Sequence, residues 1–459
     1  MAMKAILRSL RDTIVAYWWY ADACLRPRIR QRSRVPGKKR LLIVAWALPP
    51  SISGGVFRPA SFLREAAKNG WQAAGLSGPA NLPASPAGEE LLALMGTGIQ
   101  LERISLELPK PSWRLFPNVD GGLVEALAEF RAARRGFKDN TPDVVLCSGP
   151  PFQSFIAGYF IARYFRAQLV LDYRDEWTEC PFDFVQSGRT DRVWEERLLA
   201  VADLVIFTTA SQLDHHIRKF RGLDRDRCIH VPNGWEQLEG TTKSVSSVFP
   251  EKNADKIRMT FVGNLSAHTP PAAFLRTLAR TLEENPQYKD RLEIWFVGNV
   301  SDSVQQDLDQ FPYPDILVRT GMVPLSDAKR FMQDASILML FSGIALERYL
   351  PGKLFEYAAA GRPIMIYGAP GEASDVVERI GLGRIVRPDD PNALKAAIES
   401  LPKIDVNSEN TVADNWLVQH RRDNIASGLF TQLDVLTKKR GKARFKTPRG
   451  TLQYPGRAP

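Results

Sequence analysis

The sequence predicts an α/β protein made of two doubly wound parallel-sheet domains that face each other across a cleft. Three observations support this fold class. Short aliphatic runs alternate with helix-length segments, a polar stretch interrupts this alternation near the middle, and 459 residues are more than one ordinary hydrophobic core requires. We therefore expect two domains of roughly 200 residues each.

The first domain begins with an apolar strand at residues 40–46, a loop at 49–55 and a helix that we expect to start at Pro59 and to end near Gly70. Each later strand is a short aliphatic run with a helical segment after it, as parallel sheets require. These strands are expected at residues 144–147, 169–172 and 204–207. The following helix reaches Phe220, and Ser211 is its expected N-cap.

A polar segment rich in Ser, Thr and Gly, residues 236–255, marks the expected hinge between the domains. Strand and helix segments then alternate again. The strands are expected at residues 257–262, 292–297, 316–319, 337–341, 364–367 and 384–386. Residues 408–436 carry a last long helical pattern.

Residues 350–364 predict a short helix whose two ends are both fixed. Pro351 suits the first turn of a helix, whereas Gly361 and the proline two positions later end it. Lys353 and Glu356 lie one turn apart near the positive end, where a cation and free N–H groups can hold an anion while a carboxylate accepts hydroxyls. A sugar nucleotide offers both groups. The alternative is an ordinary surface Lys/Glu pair.

This segment resembles the donor-binding helix of family 4 of the retaining glycosyltransferases, which have the two-domain GT-B architecture with Rossmann-like halves. The resemblance covers residues 40–436. It implies that Glu356 binds the ribose of a nucleotide-sugar donor, that Leu354 belongs to the donor site, and that the configuration of the sugar is retained. Arg348 stands where the family's motif has its first glutamate, with Glu347 one position earlier.

The same resemblance suggests donor-binding residues in three other places of the second domain. Asn264 and His268 follow its first strand, where family members often carry Arg and Lys for the diphosphate, so Lys353 and Arg348 would supply the positive charge. His268 is alternatively a plain loop residue. Val323 lies in a segment that resembles the one meeting the base.

The glycine loop of the first domain, which contains Gly54 and Gly55, lies between a strand and its helix, where backbone N–H groups can approach a phosphate or a sugar oxygen. It lacks the Gly-x-Gly-x-x-Gly spacing, which disfavours a nicotinamide or flavin cofactor. Pro-Pro, this Gly-Gly loop and Arg-Pro together look like the first loop of many family 4 transferases. The alternative is a turn that only packing requires.

Residues 171–177 read Leu-Asp-Tyr-Arg-Asp-Glu-Trp at the end of a buried strand, the edge of an α/β sheet at which ligands bind. Similar segments occur in family members of polysaccharide assembly. Asp175 is the first candidate for orienting or deprotonating an acceptor hydroxyl, and Asp172 is the second. The alternative is an ion pair through which Arg174 holds the loop.

The basic character of the chain is concentrated in its termini. The net charge is +10 overall, but +9 in residues 1–40 and +8 in residues 438–459, which leaves the segment between them at about −7. Residues 1–39 show a basic amphipathic helical pattern with Trp18 and its aromatic neighbours near one end. This distribution indicates an anionic membrane surface and not a nucleic-acid groove, although docking of this helix on a protein is the alternative.

No cofactor is expected. The four cysteines are far apart, so the sequence indicates neither a disulfide framework nor a zinc site, and the two Asp-x-Asp pairs lie in polar surface segments. No metal is required if Lys353 and the helix N-terminus neutralise the diphosphate. The apolar run at 13–21 is too short to span a bilayer, and we predict a cytoplasmic protein at the inner face of the plasma membrane.

The sequence thus predicts a glycosyltransferase that moves a sugar from a nucleotide diphosphate to a hydroxyl, the acceptor being a lipid-linked saccharide of cell-surface polysaccharide synthesis. The alternatives are a sugar-nucleotide epimerase and a non-catalytic sugar-nucleotide-binding scaffold. The expected segments are an amphipathic N-terminus (1–39), an acceptor domain (40–236), a linker (237–256), a donor domain (257–407), a helix crossing back to the first domain (408–437) and a disordered basic tail (438–459).

Overall fold

The computed structural model describes residues 39–79, 86–104, 119–237, 247–250, 255–404 and 411–438, together with Ile14 and Trp18. Except for isolated positions, the predicted N-terminal helix and the basic tail lie outside these residues, as does most of the predicted linker. The chain forms two compact units. The N-terminal unit comprises residues 1–232 and 423–459, and the C-terminal unit comprises residues 233–422.

The N-terminal unit contains a parallel sheet of seven strands in the order β3-β2-β1-β4-β5-β6-β7. The strands are β1 (Lys39–Ala45), β2 (Trp71–Ser77), β3 (Gln100–Arg103), β4 (Val144–Gly149), β5 (Gln168–Tyr173), β6 (Leu204–Phe207) and β7 (Cys228–His230). Its helices before residue 232 are α1 (Phe57–Glu65), α2 (Pro86–Met95), α3 (Leu123–Gly136), α4 (Gln153–Phe165), α5 (Arg189–Val201) and α6 (Ala210–Lys219). Strands β4 and β5 are buried along their whole length because helices cover both faces of the sheet.

The C-terminal unit contains a parallel sheet of six strands in the order β10-β9-β8-β11-β12-β13. The strands are β8 (Ile257–Val262), β9 (Leu292–Val297), β10 (Leu317–Gly321), β11 (Ile337–Ser342), β12 (Ile364–Gly368) and β13 (Gly383–Val386). The helices are α7 (Ala272–Glu284), α8 (Asp302–Asp309), α9 (Leu325–Asp334), α10 (Gly352–Ala359), α11 (Glu372–Arg379), α12 (Pro391–Ser400) and α13 (Thr411–Gln419). The predicted fold class, two parallel-sheet α/β units, is confirmed.

The last described helix, α14 (Arg422–Lys438), joins the N-terminal unit from Asp423 onward. Ile425, Leu429 and Leu433 recur every fourth residue and pack into the same buried cluster as the side chains of β1. Asp434 adds polar contacts, since it pairs with Lys39 and accepts a 2.9 Å hydrogen bond from Trp71 Nε1.

Three local expectations differ from the structure. The first helix starts at Phe57, because the N–H of Ala60 already donates to the carbonyl of Val56, and it ends at Glu65 before a separate 3₁₀ turn. Thr209, not Ser211, caps α6, because its side chain accepts from the N–H of Gln212 at 3.1 Å.

The third difference concerns the helical pattern at residues 408–436, which forms two helices, α13 and α14. The backbones of His420 and Arg422 pair with the backbone of Trp235 instead of continuing one helix: Trp235 N–H donates to His420 C=O, and Arg422 N–H donates to Trp235 C=O, both at 3.1 Å. This pairing turns the chain between the two helices.

The strand orders place a topological switch point in each sheet, between β1 and β4 in one and between β8 and β11 in the other. Ligands of doubly wound proteins bind outside the carboxyl ends of the strands at such points. The loops after these four strands are therefore the places to look for a site. Among the described helices, none combines the length and the apolar character that crossing a bilayer requires.

Candidate functional site

In the N-terminal unit, the loops after β1, β4 and β5 meet at the switch point of the sheet. Arg174, just after β5, donates from Nε to the carbonyl of Gly149 at 3.2 Å and from Nη2 to the carbonyl of Pro150. Its guanidinium lies directly against Gly55 of the glycine loop. The structure thus brings together Gly55 and Arg174, while Gly54 faces open space.

Asp172 lies at the end of β5 in a different setting from the one expected of a group that reaches substrate. Its side chain is 0% exposed, and both of its oxygens are occupied. Arg58 donates to it three times, the shortest bond being 2.8 Å, and Ser148 Oγ donates to it at 2.9 Å. Asp172 is therefore a buried partner of Arg58, and its geometry favours a structural role over contact with an acceptor.

Asp175 is half-buried and lies one residue beyond Arg174. Burial raises the pKa of its carboxyl group to about 6, against the opposing effect of Arg174, while Glu176 adds to the rise. A carboxylate with a pKa near 6 is matched to accepting a proton near neutral pH. Of the two aspartates predicted here, Asp175 retains the properties of a catalytic candidate.

The loop that carries Asp175 is fixed from beneath by buried carboxylates. Trp177 Nε1 donates to Asp191 at 2.9 Å, and the N–H and the hydroxyl group of Thr178 both donate to Glu195. Glu195 is fully buried. These contacts leave the segment around Asp175 little freedom to move. A group that acts on an acceptor must be held in position in this way.

In the C-terminal unit, α10 stands over the end of β8. The hydroxyl group of Tyr357 accepts from the N–H of Val262 at 2.7 Å, while Leu354 and Phe355 lie in the hydrophobic core. The N-cap of the helix is Pro351, and Gly361 beyond its end has a φ of +63°. Lys353 and Glu356 are half-buried and lie one turn apart on this helix.

The amine of Lys353 lies against an aromatic ring. Its Nζ lies 3.8 Å from the centre of the Phe261 ring, and a Cβ at Gly263 would stand 3.2 Å from it. Within the part of the chain that the structure describes, no carboxylate forms an ion pair with Lys353. Burial lowers the pKa of its amine to about 7. An anion placed at this helix N-terminus would gain a charged partner.

Glu356 is held by Arg422, a residue that the sequence analysis did not identify. Arg422 Nη2 lies 3.0 Å from Glu356 Oε1, and Arg422 Nη1 lies 3.7 Å from Glu236 Oε2. The Glu356 side chain remains 21% exposed, so it is open to a ligand.

The loops after β8, β9 and β10 are linked through three glycines with positive φ. Gly298 N–H donates to Gly321 C=O at 3.0 Å, and a Cβ on Gly298 would stand 2.5 Å from Gly263 O. Val323, two residues after Gly321, is half-buried against the core. Asn264 is exposed beside Gly263, and His268 is half-buried further along that loop. The predicted donor segments thus follow β8, β10 and β11 of one sheet, and the loop after β9 connects the first two of them.

Two predicted donor residues have constrained surroundings. The Leu354 side chain is 0% exposed, so it contributes to the core, and its N–H donates to Pro351 C=O at 3.0 Å. Arg348 Nη1 lies 3.2 Å from Glu347 Oε1, so the arginine at the first glutamate's place is paired with the carboxylate just before it. That glutamate is 53% exposed.

Sequence reasoning missed three residues that shape these sites: Arg58, Tyr357 and Arg422. Arg58 lies beside the glycine loop, and Tyr357 lies beside Glu356. A charged group in the first case and a hydroxyl group in the second, each on an otherwise apolar helix face, was the signal that could have identified them. No local signal identified Arg422, because it depends on how a segment 66 positions after Glu356 folds back.

Two family models match the chain and together cover more than two thirds of it. The model described as glycosyl transferase 4-like domain matches residues 54–234, and the model described as glycosyl transferases group 1 matches residues 256–403. No curated protein sequence matches the chain.

Several solved structures have a similar fold at low sequence identity. A glycosyltransferase from Rickettsia africae matches with a TM-score of 0.60 and 13% identity over 89% of this chain and 100% of its own. HepE from Anabaena, in complex with UDP and glucose, matches with a TM-score of 0.59 and 14% identity over 86% of this chain and 100% of its own. Sucrose-phosphate synthase from Thermosynechococcus elongatus matches with a TM-score of 0.57 and 14% identity over 88% of this chain and 98% of its own.

Proposed function

Because the chain belongs to the GT-B glycosyltransferases, with a glycosyl transferase 4-like domain followed by a group 1 domain, we propose that it transfers a sugar from a nucleoside diphosphate to a hydroxyl group. The structural neighbour HepE, which was solved with UDP and glucose, supports this class of donor. The epimerase and scaffold alternatives share the fold, so the reaction itself must separate them.

The proposal depends on the positions of Lys353 and Glu356, which lie one turn apart on α10 without forming an ion pair. Lys353 has no carboxylate partner among the described residues, lies at the helix N-terminus and has a pKa lowered to about 7 by burial. A diphosphate would supply the missing negative charge, and Glu356, one turn further along, would accept from the ribose hydroxyls.

The proposed reaction needs one group that stabilises the leaving diphosphate and another that takes the proton of the acceptor. The acceptor oxygen bonds to the anomeric carbon on the face from which the diphosphate departs, the bond from that carbon to the diphosphate breaks, and the diphosphate keeps the bonding electrons. Lys353 and the N-terminus of α10 stabilise the charge on the leaving diphosphate. Asp175 orients the acceptor hydroxyl and takes its proton, for which a pKa of about 6 is suited. We propose no metal or other cofactor, and retention of configuration follows from the family resemblance.

We further propose that the acceptor is a lipid-linked saccharide of cell-surface polysaccharide synthesis, met at the inner face of the plasma membrane. The charge of +9 in residues 1–40 supports attraction to anionic lipid. Ile14 and Trp18, four positions apart in the predicted amphipathic helix, are 68% and 61% exposed. Exposed apolar side chains beside a basic face are typical of helices that lie in a membrane interface.

The activity test incubates purified full-length protein with a panel of nucleotide sugars and a lipid-linked acceptor extract. We expect release of nucleoside diphosphate together with a new glycolipid, and loss of both in Glu356→Ala. Conversion of the donor without an acceptor would favour the epimerase. Nucleotide binding without turnover on any acceptor would favour the scaffold, and full activity of Glu356→Ala would overturn the site.

The membrane proposal is tested separately by co-sedimentation of the full chain with phosphatidylglycerol vesicles. We expect the double variant Ile14→Glu/Trp18→Glu to remain in the supernatant. Val412→Glu/Val418→Glu is the matched control, because these exposed side chains lie on α13. Equal sedimentation of both double variants would overturn the membrane role without affecting the activity test.

A further inference from the structure

Arg422 links the two carboxylates Glu356 and Glu236. Its guanidinium lies 3.0 Å from an oxygen of Glu356 and 3.7 Å from an oxygen of Glu236, and its side chain is only 10% exposed. A planar guanidinium can contact one carboxylate through one nitrogen and attract a second carboxylate through another, which a lysine cannot do with the same geometry.

The segment that carries Arg422 is held rigidly against the chain that enters this unit. The backbone of Trp235 is hydrogen-bonded to the backbones of His420 and Arg422, and Trp235 Nε1 donates to the carbonyl of Leu417 at 2.7 Å. The chain passes between the units just beside these residues, after residues 232 and 422. Arg422 is therefore anchored by its backbone as well as by its ion pairs.

A stack of aromatic rings connects the same segment to α10. The rings of Phe355 and Trp416 lie 5.2 Å apart at 12°, and those of Trp416 and His420 lie 4.2 Å apart at 25°. Phe355 immediately precedes Glu356, so this stack fixes the position of Glu356 relative to Arg422. Oε1 of Glu356 faces Arg422, and among the described residues its Oε2 takes no hydrogen bond.

We propose that Arg422 is the residue that positions Glu356 for the donor ribose, holding one carboxylate oxygen so that the other accepts from the ribose hydroxyls. This inference rests on the proposed role of Glu356 as a ribose ligand. It adds a residue from outside the family motif to the donor site and ties that site to Glu236, beside the crossing of the chain. A ribose bound in this way is recognised through its 2′ and 3′ hydroxyl groups, whatever base it carries.

The test is isothermal titration calorimetry of the full chain with UDP, ADP and GDP and with the 2′,3′-dideoxy form of each. We expect the wild type to prefer the ribose form of at least one diphosphate. In Arg422→Met, affinity for that form should fall about tenfold or more, as is usual when a charged hydrogen bond is lost, while affinity for the dideoxy form stays unchanged. The double variant Arg422→Met/Glu356→Gln should bind no more weakly than Glu356→Gln alone.

Arg421→Met is the matched control, because that neighbouring guanidinium donates to Gln237 at 3.3 Å, and it should keep the wild-type preference for ribose. Arg422→Lys keeps the charge and replaces Arg422→Met in the experiment if the latter does not fold. It should show a reduced preference for the ribose form over the dideoxy form. An unchanged preference in a folded Arg422 variant, or an equal loss for both sugar forms, would overturn this inference alone. A folded wild type that binds none of the diphosphates would overturn the donor site itself and this inference with it.

Discussion

Gly55 lies so close to the Arg174 guanidinium that a Cβ on Gly55 would stand 1.6 Å from Nη1 and 2.7 Å from Cζ. The guanidinium cannot simply move aside, since it donates to the carbonyls of Gly149 and Pro150. Gly54, one residue earlier, has no atom within 4 Å of its own Cβ position. Two adjacent glycines of one loop therefore have different constraints, and only one is required by its neighbour.

We predict that Gly55→Ala destabilises the protein by about 1–3 kcal/mol, the usual cost of overpacking, because the added methyl group displaces Arg174 from the loop after β4. Gly54→Ala should change the free energy of unfolding by less than about 0.5 kcal/mol. Urea denaturation of both variants measures the difference. Equal stability of the two would show that the contact between Gly55 and Arg174 is not a constraint in solution.

The buried pair of Arg58 and Asp172 gives a second prediction. Asp172→Asn leaves Arg58 charged and buried at 5% exposure, so it should cost about 3–5 kcal/mol of stability. Asp214→Asn, which removes the partner of Arg225 from a half-exposed surface pair, is the control and should cost less than about 1 kcal/mol. Urea denaturation separates the two, and a loss for Asp172→Asn as small as that of the control would remove its structural role.

The sequence was most informative where a strand is fully buried. Ile257–Val262 and Leu292–Val297 were predicted with the bounds that the structure has, because each is a mostly apolar run of six residues with polar residues or glycine on both sides. Trp71–Ser77 and Gln100–Arg103 were missed. The first contains Gln, two Ala and Gly, and the second is an edge strand with no buried residue, so neither has the apolar pattern that marks a central strand.

The candidate sites show the same division between local and non-local information. The helix with Lys353 and Glu356 could be predicted, because its proline, its glycine and the spacing of its charges lie within fifteen residues. The pairing of Glu356 with Arg422 could not, since it depends on packing between segments far apart in sequence. Asp172 could not be assigned from the sequence either, because its place at the end of a buried strand gave no indication that Arg58 would donate to its carboxylate.

For catalysis, we predict that Asp175→Asn lowers kcat by about 10²–10⁴-fold, the usual contribution of a general base. In the wild type, kcat/KM should fall as pH decreases through about 6, where Asp175 becomes protonated in the free enzyme. The measurement is the pH–rate profile of nucleoside diphosphate release with a lipid-linked acceptor.

Asp183→Asn is the matched control for this prediction, because Asp183 is an exposed carboxylate on the same loop. It should keep both the rate and the pH profile. If Asp175→Asn keeps an acidic limb near pH 6, another group must be responsible for it, and Asp175 would then not be the base.

Lys353→Met should weaken nucleoside diphosphate binding and at the same time stabilise the free protein. Burial of the amine lowers its pKa, which means that the folded state disfavours the charged form that binding needs. Replacing a residue that is unfavourable for stability but needed for function commonly raises the free energy of unfolding by about 0.5–2 kcal/mol. Lys289→Met is a close control, since that Nζ also lies over a ring, 4.4 Å from the centre of Tyr313. It should leave diphosphate binding unchanged, and weaker binding in both variants would remove the specific role of Lys353.

The pH dependence of diphosphate binding tests the charge on Lys353 directly. In the protein without ligand, the amine of Lys353 has a pKa of about 7, well below that of an ordinary lysine. A bound diphosphate should raise this pKa again by supplying a negative charge. Binding then takes up a proton above pH 7, so affinity should be highest below pH 7 and should fall as pH rises, by up to about tenfold per unit, until the pKa of the complex is passed. Lys353→Arg stays charged throughout this range, so any diphosphate binding that it retains should lose this decrease. Titration calorimetry between pH 6 and 9 measures both, and a wild-type affinity that does not change over this range would mean that Lys353 is not the cation that meets the diphosphate.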